Sequence, residues 1–212
     1  MSRLCLVLQC HVALFHPFMS CPDQGAINAT LPERFKNIQN MHSIIDGSEI
    51  FIETPKDPAL QKMTWSQYKH HNTMKILVSV TPNSSICFVS KAYPGSVSDK
   101  KLTLDCNYLD LVPMYSTIMA DKGFNIKQEY LNRNINLYVP PGKRGTYQML
   151  PHEVRKTKKI ANKRILVEQV IRQLKSFKIL ANEFPIKLIN SIDDIITVCS
   201  ALCNLLPPIF SD

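Results

Sequence analysis

Cysteine pairs at metal-binding spacing are missing from this chain. Its seven cysteines, Cys5, Cys10, Cys21, Cys87, Cys106, Cys199 and Cys203, form an odd set without a CxxC pair. That excludes zinc-ligand spacing, argues against a disulfide framework and favours a reducing compartment. Cys199 and Cys203 lie in an apolar stretch and read as small buried hydrophobes. No run approaches the ~18 to 20 apolar residues needed to span a bilayer, so no membrane partner is expected. The N-terminus opens like a secretion signal, with Arg3 before an apolar stretch, but Gln9, Cys10, His11 and His16 interrupt it. No small-x-small cleavage site follows closely. Internal repeats, low-complexity tracts and a second-domain boundary are also lacking.

What the chain has is length for one sizeable core, with 212 residues of which 45% are hydrophobic and 20% charged. The net charge of +8 is unevenly placed. Residues 143–178 hold 11 Lys/Arg and 2 Asp/Glu, or +9, and the rest of the chain holds 14 and 15, or −1. Such concentration points to a polyanion partner, nucleic acid ahead of a membrane surface, with a solvated helix face as the plainer reading.

That basic stretch contains residues 160–180, IANKRILVEQVIRQLKSFKIL, a long amphipathic helix in which Ile160, Val167, Ile171 and Leu174 form an apolar stripe. Glu168 stands beside the stripe, with Arg164 four residues before and Arg172 four after. Read alone, this is a surface helix with i,i+4 ion pairs. Upstream, strands are expected at 42–53 (HSIIDGSEIFIE), 74–81, 86–92, 115–120 and 135–139. Helices are expected from Asp99, at 126–133, over 150–180 and at 191–206, with a short one at 31–40 and a loop at 22–30. Three antiparallel strands followed by alternating helices and strands fit an α/β fold, a mixed five-stranded sheet flanked by helices.

Two aspartates stand out in that frame. Asp46 interrupts the first apolar strand, where an unneutralised acid is costly. Asp121 ends the fourth strand, and open α/β sheets place ligands at carboxyl ends. If strands one and four are neighbours, the two converge, and Glu168 can reach them from a packed helix. Three converging carboxylates repel one another unless a cation is present, and hard oxygen ligands suit Mg²⁺ or Mn²⁺. Two such ions stabilise both oxygens of an in-line phosphoryl displacement. Lys158, Lys159, Lys163, Arg164 and Arg172 are the candidate DNA-phosphate contacts. Asp99 reads as a helix-start residue complementing the dipole. Glu49 falls on the face opposite Asp46, and His70 and His71 read as a solvated polar loop.

Several segments, IIDGSEIFIETPKDP, TWSQYKHHNTMKILVSVTPN, FVSKAYPGSVSDKKLT, MADKGFNI, residues 160–180 and DDIITVCSALCNLLPPI, resemble in order the DDE superfamily endonuclease domain. The subgroup they resemble is that of Harbinger-type transposases and their domesticated nuclease relatives. The resemblance runs over about residues 31–209, the expected catalytic domain, and leaves 1–30 as a poorly matched, disordered or irregular segment. It implies a ribonuclease-H-like fold and a divalent-metal-dependent DNA endonuclease whose catalytic, metal-binding acids fall on Asp46, Asp121 and Glu168. Its chemistry is phosphodiester hydrolysis leaving a 3′-hydroxyl, with strand transfer in a full transposase. Lys122 stands where the family often has arginine. Upstream DNA-binding sequence is missing, so the expectation is a truncated or domesticated transposable-element protein, nuclear, served by a separate DNA-binding partner. The alternative is a catalytically silent nuclear remnant that holds DNA or a protein with the same basic face.

Overall fold

β1 (Met41–Phe51) carries the sheet, its Ile and Phe residues suited to a pleated surface buried on both sides. It pairs antiparallel with β3 (His71–Val80), from Ile44 opposite Val80 to Phe51 opposite Thr73. On its other side β1 runs parallel to β6 (Thr117–Met119), which in turn runs parallel to β7 (Asn136–Tyr138). Strands one and four of the sequence reading are therefore neighbours. The computed structural model describes residues 12–14, 19–121, 123, 124, 126–139, 151–207 and 209, with residue 127 and residues 151–162 described by backbone alone.

Among the described residues the sheet has seven strands rather than five. β2 (Trp65–Ser66), β4 (Ile86–Val89) and β5 (Tyr93–Pro94) all pair with β3, and the main path runs β2-β3-β1-β6-β7. The two-residue strands β2 and β5 exist only as partners of β3, and no alternation that short is visible in a sequence.

Helices cover both faces. Ile44, Ile50, Ile76 and Val78 pack against Leu166, Val167, Val170 and Leu174 of α6 (Pro151–Leu174) and against Ile195, Ile196 and Cys199 of α8 (Ile192–Asn204). On the opposite face, Ile45 and Leu77 pack against α3 (Asp99–Asp105), α4 (Tyr108–Leu111) and α5 (Lys127–Asn132) through Leu102, Tyr108, Leu109 and Tyr130. Asn204, at the end of α8, accepts from Ile86 N and donates to Ile86 O, so a side-chain amide caps an edge strand.

Four local expectations are corrected. Residues 24–29 form a helix, α1 (Gln24–Ala29), capped by Asp23 accepting from Ala26 N, because burying Ile27 compensates for the glycine within it. Within 31–40 only a 3₁₀ turn, Glu33–Phe35, is present. The helical region expected over 150–180 begins at Pro151 as expected but ends at Leu174, and Phe177 caps a separate short helix, α7 (Lys178–Ala181). Among the described side chains of α6 the buried stripe is Leu166, Val167, Val170 and Leu174, with Ile171 only half-buried; the side chain of Ile160 lies outside the described residues. Among the described residues no helix is long and apolar enough to cross a membrane.

Candidate active site

Strand register brings the two aspartates together. In the parallel pairing of β1 with β6, Ile44 lies opposite Met119. Asp46 and Asp121 each stand two residues further on, at equivalent positions of neighbouring strands and on one face of the sheet. β6 has ended by then, so beyond Ile44 no described strand covers that edge of β1. A groove of about 660 Å³ opens there, lined by Asp46, Asp121, Arg164 and Glu168.

At its centre is a guanidinium. Arg164 Nη1 is 3.2 Å from Asp121 Oδ1, and Nη2 is 3.8 Å from Asp46 Oδ2 and 3.9 Å from Glu168 Oε1. The last two oxygens share one nitrogen as neighbour, so their separation cannot exceed the sum of those distances. Arg164 is only 11% exposed, and its Nε is buried without a hydrogen-bond partner among the described residues. The guanidinium thus faces three acids, the remedy that carboxylate repulsion demands. Among the described residues no three His, Cys, Asp or Glu side chains form a ready-made metal-binding set, and the guanidinium takes the place between the acids.

The acids differ in environment. Burial, the largest effect, pushes the Asp46 carboxyl up to about 6; Arg164 and the Gly47 N–H pull it down, and Asp121 and Glu168 push it up. That N–H donates to Asp46 Oδ1 over 2.9 Å. Asp121 and Glu168 are about half exposed. The hard oxygen donors, gathered where one of them is short of positive charge, are the donor set that Mg²⁺ or Mn²⁺ takes.

A second polar cluster lies on the other side of β1. Alternation does put Glu49 on the face opposite Asp46, but the groove wraps round the uncovered edge and takes in both faces. Lys75 Nζ lies 3.3 Å from Asp99 Oδ1 and 3.6 Å from Glu49 Oε1, and donates to Val97 O; Thr73 donates to Glu49 Oε2. Asp99 does more than start a helix. A Cβ on Gly47 would come 3.2 Å from its Oδ1, and one on Gly123 3.0 Å from its Oδ2. The glycines behind both aspartates leave room for this one carboxylate.

The basic candidates separate. Arg164 is at the acids. Lys163 donates to Asn37 Oδ1 and sits over the Phe35 ring. Arg172 is exposed and, among the described residues, forms no ion pair with Glu168. The side chains of Lys158 and Lys159 lie outside the described residues, as does Lys122. His71 is held by Glu183 Oε1 and Asn72 O and stacks edge-on with Phe51, so it is tied into the fold. Lys69 and Lys175, absent from the sequence-based candidates, also line the groove. For Lys175 there was a signal: it follows Glu168 by seven residues, two helical turns along one face.

A model of the DDE superfamily endonuclease family matches residues 45–204, which takes in Asp46, Asp121 and Glu168, and the chain belongs to that family. Members generally use divalent metals and act on DNA. No curated protein matches the chain.

Proposed function

We propose that this chain is a divalent-metal-dependent DNA endonuclease of transposase type, on a ribonuclease-H-like fold, working in the nucleus. The observation that carries it is the convergence of Asp46, Asp121 and Glu168 on Arg164 just beyond the parallel pairing of β1 with β6. Asp46 from within β1, Asp121 from just past the end of β6 and Glu168 from the helix would hold Mg²⁺ or Mn²⁺. When bound, such ions supply Lewis-acid stabilisation of the charge building on the phosphate oxygens. The protein groups do the rest. The strand register fixes the two aspartates, the helix presents Glu168, and the Arg164 guanidinium, once relieved of the acids, is placed to pair with a phosphate. The order of its motifs supports a Harbinger-type subgroup, and the excess charge of residues 143–178 supports a DNA path along α6, with a separate DNA-binding protein directing it.

A second reading has one observation in its favour. The guanidinium already balances the acids, as it would in a catalytically silent protein that holds DNA. Supercoiled plasmid incubated with Mg²⁺ or Mn²⁺ separates the two. Nicking that is lost in Asp46→Ala, Asp121→Ala and Glu168→Ala supports the nuclease; salt-sensitive binding with no nicking under either ion supports the silent protein.

A further inference from the structure

The groove continues past the acids to a site that the phosphodiester chemistry does not use. β2 and β3 form a hairpin, Trp65 opposite Asn72 and Ser66 opposite His71. Its loop is held by one buried residue: Ser66 O accepts from His70 N over 2.9 Å, and Ser66 Oγ accepts from Lys69 N over 3.2 Å. His70 completes the turn with φ 51°. Tethered this way, the loop holds Tyr68 80% exposed at the groove, with Lys69 Nζ 4.5 Å from the ring centroid on one face.

Opposite, beyond the end of α6, Lys175 reaches into the groove and donates to Glu49 O over 2.6 Å. Among the described residues neither Lys69 nor Lys175 has a carboxylate within ion-pair distance, and the nearby Glu49 is engaged by Lys75 and Thr73. Burial and then the Lys69 charge pull the Lys175 ammonium below its ordinary range. Two ammonium groups that line one groove with an exposed aromatic ring are complementary to an anion attached to a flat ring.

We propose that Tyr68, Lys69 and Lys175 form a subsite for an unpaired nucleotide next to the scissile phosphate, its base stacked on Tyr68 and its phosphate between the two lysines. The proposal rests on the nuclease reading and sharpens its substrate: phosphate contacts alone would serve any duplex, but a stacking face is useful only to a base that has left its pair. The substrate class is therefore DNA with a frayed or flapped strand at the cleavage point.

Fluorescence anisotropy in EDTA, where nothing is cleaved, tests this with two labelled probes, a blunt duplex and the same duplex carrying a three-nucleotide unpaired flap. The wild-type chain is expected to prefer the flapped probe. Tyr68→Ala loses roughly 5- to 100-fold in affinity for it, Tyr68→Phe retains it, and both bind the blunt duplex as wild type does. Lys69→Ala lowers the slope of log affinity against log salt by about 0.7–0.9. An unchanged flap preference in Tyr68→Ala, or no preference in wild type, overturns the subsite while plasmid nicking leaves the nuclease standing. Failure of the wild-type chain to bind either probe overturns both.

Discussion

The Arg164 guanidinium and the Asp121 carboxylate stand 3.2 Å apart although they come from a helix and a strand end on different parts of the chain. That contact, with the longer ones to Asp46 and Glu168, makes Arg164 the counter-charge of the site until another cation arrives. Arg164→Gln is expected to lower the stability of metal-free protein by about 1–2 kcal/mol, less than a fully buried pair because two of its partners are half exposed. The same variant is expected to gain more from Mn²⁺ than wild type does, since the competing cation is gone. Thermal unfolding with and without Mn²⁺ measures both; a smaller gain in the variant would show that Arg164 assists metal binding.

Asp46 gives a dependence on pH. Its folded-state value of about 6 lies above the ordinary carboxylate value of about 4, so the folded protein holds the proton more tightly than the unfolded chain. Ionising Asp46 therefore costs stability as pH rises between those values, and the cost is complete above about 6. Metal-free Asp46→Asn is expected to melt higher than wild type at pH 7.5 and equally near pH 4. Equal melting at both would mean that the carboxylate is fully compensated.

His42 acts in the other direction. The ring is fully buried, bonded through Nδ1 to Ser43 Oγ, and burial pulls it down to about 4. An unfolded histidine titrates near 6.5, so the unfolded chain takes up the proton first. The stability tied to neutral His42 is present above about 6.5 and is lost as pH falls towards about 4, on the order of a few kcal/mol. Urea unfolding at pH 7 and pH 5 checks this. Wild type should lose more stability across that interval than His42→Leu.

The long strands were readable in the sequence because Ile, Val and Phe recur in runs bounded by turns, and Glu168 was visible as an acid beside an apolar stripe. Asp46 and Asp121 could be paired only on the condition that two strands be neighbours, which no local pattern supplies; the parallel register supplies it. The i,i+4 relation of Arg164 to Glu168 is legible in the sequence and is present at 3.9 Å. Its contacts with Asp46 and Asp121 are not, because helix packing brings the guanidinium to acids that are distant in sequence. Asp99 is legible in the sequence as a helix-start residue, which it is; its contacts with Gly47, Gly123 and Lys75 are not, because all are distant in sequence.

Two glycines should respond differently to an added methyl. A Cβ on Gly95 would collide with Thr73 and lie 2.6 Å from the Thr64 carbonyl oxygen, which belongs to the backbone and cannot turn away. Gly95→Ala is expected to cost about 1–3 kcal/mol. At Gly123 the obstacle is the mobile end of Asp99, so Gly123→Ala should cost under about 1 kcal/mol, and nothing in an Asp99→Ala background. Denaturant unfolding of wild type, the three single variants and the Asp99→Ala/Gly123→Ala double variant tests it. A cost at Gly123 that persists without Asp99 would remove that carboxylate as the cause.

On the proposed function, Asp46, Asp121 and Glu168 hold divalent metal together. Titrating Mn²⁺ into the chain by electron paramagnetic resonance tests this without requiring cleavage. Saturable binding by wild type is expected, weakening at least about tenfold in each of Asp46→Ala, Asp121→Ala and Glu168→Ala. Binding of equal strength in wild type and all three variants would contradict it.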